Sequence, residues 1–218
     1  MKNKFKIIII GSGPGGCVPA CIFSEKGLDV LMLEKGSHSD LAAVKSFSCE
    51  EINTKYKNAG MTVANGKSLI NYAEGSCVGG GSEVNSGLYH RIPEDTLKSW
   101  ELKNNILFDR ALLEESYTDI ENLINISFMP KKLVPKASLK LQEGCDNLNY
   151  SCSEVPRWYK YDSDGKGFKQ SMTETLIPKF LKNGGTLLSD CEVTKIISKN
   201  NNNSVKVKLK TGEIKEYF

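Results

Sequence analysis

Phe5-Lys6-Ile7-Ile8-Ile9-Ile10-Gly11-Ser12-Gly13-Pro14-Gly15-Gly16 carries the clearest structural signal in the chain. Four consecutive isoleucines are β-branched and apolar with no polar alternation, the pattern of a strand covered on both faces in a parallel sheet. A glycine turn follows at once, and from Pro14 to about Lys26 the residues read as a helix. Gly11, Gly13 and Gly16 fall on the three positions of G-x-G-x-x-G. The first glycine permits the tight turn out of the strand, the second lets the backbone approach a pyrophosphate, and the third lets the helix lie close on the strand. The helix start then offers N–H groups and a positive dipole end to phosphate.

A second apolar run, Leu28–Leu33, ends in Glu34, 23 residues beyond Gly11. An acid there accepts hydrogen bonds from the adenosine ribose hydroxyls and disfavours a 2′-phosphate. The alternative is a glycine-rich turn in some other βαβ unit, but strand, turn, helix and acid all sit where a dinucleotide fingerprint needs them. Cys17, Ala20 and Cys21 supply small side chains on the helix, Pro19 is expected to kink it or shorten its first regular turn, and Gly27 is expected to cap it. Cys17 and Cys21 share a face, yet no second pair or nearby histidine completes a metal site, so they are read as packing residues.

A chain of 218 residues with 25% charged residues, a net charge of +3 and a mean hydropathy of −0.33 is ordinary for a globular protein. The lysines are spread out, which gives no case for nucleic acid. No segment approaches the ~20 apolar residues of a membrane span. Met1-Lys2-Asn3-Lys4 runs straight into the first strand with no cleavage site, and seven irregularly spaced cysteines point to reduced thiols, so a cytoplasmic location is expected.

Residues 37–60 read as a polar loop with a short helix. Met61–Val63 and Leu69–Tyr72 read as strands about the turn Asn65-Gly66. Gly75-Ser76-Cys77-Val78-Gly79-Gly80-Gly81-Ser82-Glu83-Val84-Asn85-Ser86-Gly87 is the second informative stretch, with five glycines in thirteen residues. Its triple glycine allows close approach of backbone to a ligand, and its apolar brackets set it apart from a flexible linker. Leu97–Trp100 and Phe108–Ile126 read as helical, Ser138–Leu148 as an amphipathic helix, and Val155–Tyr161 as a strand. Asp162-Ser163-Asp164-Gly165-Lys166-Gly167 resembles part of a calcium loop, but the alternation breaks at Lys166 and Thr173 stands where the bidentate Glu belongs, so a turn is expected. Thr173–Lys182 reads as a helix, Thr186–Leu188 and Glu192–Ser198 as strands, Asn200–Asn203 as a turn, and Val205–Leu209 and Ile214–Phe218 as further strands.

Taken together, the two glycine stretches resemble the glucose–methanol–choline (GMC) oxidoreductases, FAD-dependent enzymes that oxidise alcohols. The opening βαβ matches their dinucleotide site. Gly75–Gly87 is similar to their second glycine-rich segment, and its triple glycine followed by Ser82 and Asn85 is closer to the cholesterol-oxidase and long-chain-alcohol-oxidase branch. Ser171–Ile197, with Thr175-Leu176-Ile177-Pro178 and Gly184-Gly185-Thr186-Leu187-Leu188, resembles the segment ending in a strand beside the adenine. Ser76 and Ile92 depart from the family pattern. The resemblance implies an α/β, Rossmann-like FAD-binding fold with a parallel sheet, inserted helices and a β-hairpin or meander, truncated before the substrate domain. It divides the chain into a dinucleotide-binding βαβ (1–36), the second flavin segment (61–100), a helical insertion (101–170) and adenine-side strands (171–218).

By position, the resemblance places Gly11, Gly13, Pro14, Gly15 and Gly16 on the pyrophosphate and Glu34 on the adenosine ribose. It places Gly81 and Ser82 on the phosphates and ribityl chain, through backbone N–H and hydroxyl. Asn85, Ser86 and Leu88 would flank the ribityl chain and flavin ring edge, and Val193 would pair its backbone with the adenine. The implied reaction oxidises the CH–OH group of a small-molecule alcohol with hydride passing to FAD. The family's catalytic histidine matches neither His38 nor His90, so no catalytic residue is assigned. The expectation is an incomplete FAD-binding domain whose histidine comes from a missing C-terminal half or a second chain. The alternatives are a non-catalytic flavin-binding subunit or gene fragment that needs a partner, and an NAD-dependent Rossmann dehydrogenase. The second glycine segment argues against the last.

Overall fold

The computed structural model describes residues 2–38, 44–45, 47–199 and 202–218. They form two compact units, Met1–Asn85 with Ser171–Phe218, and Ser86–Gln170. In chain order the first unit begins with β1 (Ile7–Ile10), α1 (Pro14–Glu25), β2 (Val30–Leu33), α2 (Cys49–Lys55), β3 (Thr62–Ala64), β4 (Ile70–Tyr72) and α3 (Gly81–Val84). The second unit holds α4 (Glu94–Asn104), α5 (Arg110–Leu123), β5 (Ile126–Ser127), α6 (Lys136–Asn147), β6 (Arg157–Tyr161) and β7 (Gly167–Lys169). The chain then returns to the first unit with α7 (Leu176–Lys182), β8 (Thr186–Leu188), β9 (Cys191–Lys199), β10 (Asn202–Leu209) and β11 (Ile214–Tyr217).

The first unit is built on a parallel sheet of order β1-β2-β8, with Ile7 opposite Val30 and Leu31 opposite Thr186. All four residues of β2 are buried, as a strand between two neighbours requires. α1 buries Cys17, Ala20, Cys21 and Ser24, and the Cys21 thiol donates to the Leu176 carbonyl at 3.1 Å. The helix runs unbroken through Pro19, and Gly27 follows its last turn at φ +73 with its N–H on the Ser24 carbonyl. β9, β10 and β11 form an antiparallel meander, and Val205, Val207 and Tyr217 join Leu31, Leu33 and Cys191 in one core cluster.

The expectation for β1 fails. β1 is half-buried rather than covered on both faces, and Ile10 is 47% exposed. The reason is topological, since β1 stands at the sheet edge and no strand among the described residues pairs with its outer side. A groove of about 1090 Å³ is lined by Phe5, Ile8, Ile10, Ile196 and Phe218 among others.

The hairpin forms with Thr62 opposite Tyr72. α2 is the short helix of the 37–60 loop, capped by the Ser48 hydroxyl accepting from Glu51 N–H at 3.1 Å. Of the turn expected at Asn200–Asn203, Asn200 and Asn201 lie outside the described residues, and Asn202 and Asn203 already belong to β10.

The second unit carries a sheet of order β5-β6-β7 beside three helices. α5 starts later than its apolar pattern, because the Asp109 side chain accepts from the Ala111 and Leu112 N–H groups and ends the loop there. Arg91 grips Glu121 through two nitrogens, at 2.6 and 2.8 Å, and reaches Glu114 at 2.7 Å. The Arg91 hydrogen bond holds the Glu121 carboxyl down at about 2, with the Tyr89 hydroxyl adding to the effect. The 162–167 segment is a turn in which Asp162 Oδ1 accepts from the N–H groups of Asp164 and Lys166. No group of side chains able to hold a metal ion is found among the described residues, and no described helix is long and apolar enough to cross a membrane.

Candidate dinucleotide site

The site is built where β1 ends. Gly11 takes φ +94, a conformation side-chain-bearing residues rarely adopt, and so turns the chain out of the strand. Its N–H donates to the Leu33 carbonyl at 2.8 Å, which fixes the turn to the end of β2. At Gly16 a Cβ would stand 2.0 Å from the Gly11 carbonyl oxygen and 3.3 Å from Ile9 Cγ2. The close helix–strand approach expected from the third glycine is therefore present.

Gly13 and Gly15 differ. A Cβ on Gly13 would meet nothing nearer than Gly80 Cα at 3.9 Å, and one on Gly15 would meet nothing within 4 Å. Their bare backbone has no steric reason inside the protein. Gly13 caps α1 without any side-chain hydrogen bond, Pro14 has no N–H, and the Gly15 N–H has no protein acceptor among the described residues. An open, glycine-lined helix start suits an anion.

Glu34 leaves β2 with its carboxylate aimed back at this turn. Its Oε2 accepts from the Ser12 N–H at 2.9 Å and the Ser12 hydroxyl at 2.8 Å, and its Oε1 accepts from the Gly36 N–H at 2.8 Å. A carboxylate offers about four acceptor positions, and these three hydrogen bonds leave one, on Oε1. The main chain of Glu34 is held as well, donating to the Leu188 carbonyl and accepting from Cys191 N–H.

Ser12 was not singled out by the sequence, and the structure makes it a junction. It is fully buried, and its oxygen accepts from the Gly79 N–H at 3.0 Å while its proton goes to Glu34. The first glycine turn, the acid and the second glycine segment thus share one hydroxyl. Its carbonyl takes the Cys17 thiol proton at 2.9 Å, and burial, with Cys21, Glu34 and Glu83 adding charge repulsion, pushes that thiol up to about 12.

The second glycine segment turns at Gly79 and Gly80, where a Cβ on Gly80 would stand 3.0 Å from Gly13 Cα. The two glycine stretches, 60-odd residues apart in sequence, are therefore in backbone contact at Gly13 and Gly80, and the Gly79 N–H ties them again through the Ser12 hydroxyl. Gly81 is exposed and opens α3, and Asn85 is exposed at its end. Ser82 departs from the expected hydroxyl contact. It is fully buried, donating to the Gly79 carbonyl at 2.7 Å and accepting from Met172 N–H at 3.0 Å, because it fastens this segment to the chain entering α7. Val193 sits in β9 opposite Val207, packed against the core cluster. Ser86 and Leu88 belong to the second unit, where both are exposed and Leu88 bridges to Arg157. His38 and His90 are exposed.

The family model for GMC oxidoreductases matches residues 50–217. The chain belongs to the GMC oxidoreductases. The matched domain is the FAD-binding domain of that family. Among GMC relatives, an uncharacterized GMC-type oxidoreductase of Sinorhizobium fredii is 36% identical over 199 residues, covering 87% of this chain and 39% of its own. A long-chain-alcohol oxidase of Arabidopsis thaliana is 28% identical over 219 residues, covering 93% of this chain and 28% of its own. Among solved structures, pyridoxine 4-oxidase from Mesorbium loti superposes with a TM-score of 0.71 at 17% identity, over 97% of this chain and 47% of that one, which shows a shared fold. The chain thus spans 39% and 28% of the length of these two relatives and 47% of that structure.

Proposed function

We propose that the first unit holds FAD for a GMC enzyme that oxidises the CH–OH group of a small-molecule alcohol to a carbonyl. The observation that carries this reading is the pair Gly13 and Gly15, whose missing side chains leave open backbone at the start of α1 and serve no packing need of the protein. A pyrophosphate fits there, held by the Gly15 N–H and the positive helix end. Gly11 and Gly16 set the turn that presents it, and Pro14 pre-shapes the first helical residue. Glu34 offers its remaining Oε1 position to the adenosine ribose. Gly81 supports a contact as an exposed glycine at the start of α3, whereas Ser82 acts from behind, holding the segment in place. For Asn85, Ser86 and Leu88 beside the ribityl chain and flavin ring, and for Val193 beside the adenine, the support is the resemblance alone.

Bound FAD supplies the hydride acceptor. The proton acceptor is assigned to no described residue of this chain. In this reading it comes from sequence beyond these 218 residues or from a partner chain. The test is an absorption spectrum of the purified protein with added FAD, before and after desalting. Flavin bands retained on the protein are expected. Loss of all flavin together with tight NAD binding overturns the reading.

A further inference from the structure

We infer that Ser12 is a positioning residue that sets the ribose-facing oxygen of Glu34, and so governs discrimination at the adenosine ribose. The inference rests on the FAD reading above. Three observations carry it. Ser12 spends both of its donors, N–H and O–H, on the same oxygen, Oε2, at 2.9 and 2.8 Å. The hydroxyl cannot swing away, because the Gly79 N–H donates to it at 3.0 Å and occupies the acceptor side. Oε1, by contrast, takes a single backbone donor, Gly36 N–H, and keeps one acceptor position.

A glutamate has three rotatable side-chain torsions, and its terminal one is soft. With Oε2 saturated and Oε1 holding the Gly36 N–H, the carboxylate plane is fixed, and the acceptor position left over is on Oε1. Without the Ser12 hydroxyl, one charge-assisted hydrogen bond is lost and the carboxylate turns, so that remaining lone pair is no longer in one place. The second glycine segment takes part through Gly79. Its seating beside Gly13 and the aim of Glu34 become one event, which ties the pyrophosphate and ribose ends of the site together. Glu34 contacts the ligand in this scheme, and Ser12 acts through it.

The experiment uses displacement of FAD by ADP and by 2′-deoxy-ADP, read by recovery of flavin fluorescence. Wild-type protein is expected to bind ADP about tenfold more tightly than 2′-deoxy-ADP, the loss of one hydrogen bond to a charged acceptor. Ser12→Ala is expected to bring that ratio close to one, and Ser12→Thr, which keeps the hydroxyl, to restore most of it. Ser12→Cys, close in size and a poor donor, is expected to match Ser12→Ala and serves if the alanine variant does not fold. An unchanged ratio in Ser12→Ala and Ser12→Cys overturns the inference, as does equal weakening of both ligands, which a purely structural role would produce. Failure of wild-type protein to bind FAD at all overturns the functional reading instead, so the two failures are distinct.

Discussion

The glycines of the first turn divide into those the fold requires and those it does not, and Gly16→Ala against Gly15→Ala tests that division. At Gly16 the added methyl would lie 2.0 Å from the Gly11 carbonyl oxygen and 3.1 Å from its carbon. Both are backbone atoms of a turn already fastened to β2, so nothing can swing aside. The strain is on the order of 3 kcal/mol or more, which lowers the melting temperature by about 6–12 °C for a chain of this size. At Gly15 the methyl would meet nothing within 4 Å, and the residue lies in the first turn of α1. Alanine there removes backbone entropy from the unfolded chain and stabilises by about 0.5–1 kcal/mol, raising the melting temperature by about 1–4 °C. The same methyl stands where a pyrophosphate oxygen would approach the Gly15 N–H, so FAD affinity falls by at least about tenfold, one charge-assisted hydrogen bond. Thermal unfolding by circular dichroism and FAD titration by fluorescence measure the two quantities on the same samples. A Gly15→Ala protein that loses stability, or that gains it and binds FAD as before, refutes the reasoning that this glycine is open for a ligand.

Three further outcomes are expected. Phe180 is fully buried in α7, and Phe180→Ala should lower unfolding free energy by about 3–5 kcal/mol in a urea titration. Glu121 has its folded-state pKa depressed to about 2 by Arg91, so it contributes stability above the ordinary carboxylate range that is lost as pH falls toward 2. Acid unfolding of Glu121→Gln should lack that component, and added salt should shrink it in the parent protein, since the pair is partly exposed. Alkylation of the native protein at pH 8 should modify exposed Cys49 well before buried Cys17, Cys21, Cys77 and Cys191, with Cys17 held protonated by its burial. Peptide mass mapping reads the order directly.

Local chemistry settles within a few residues, and there the sequence was legible. The run Ile7–Ile10, the glycine spacing through Gly16 and the acid at Glu34 specify a βαβ unit without reference to distant residues, because strand, turn and helix are short-range consequences of side-chain shape and backbone freedom. The hairpin at Thr62–Ala64 and Ile70–Tyr72 and the meander strands were legible for the same reason. Long-range pairing was not. Nothing in the isoleucines says that β1 stands at an edge, since coverage depends on which strands are available to pair. Ser12 and Ser82 look alike in sequence as small polar residues in glycine loops. Only tertiary contact decides that Ser12 joins Gly79 to Glu34 and that Ser82 is turned inward to Met172, because each hydroxyl goes to whichever buried donor or acceptor the fold brings within about 3 Å. Short-range chemistry alone was enough to specify the glycine turn and its acid. How the second glycine segment is seated against that turn was settled by the tertiary fold, because that seating depends on groups more than sixty residues away.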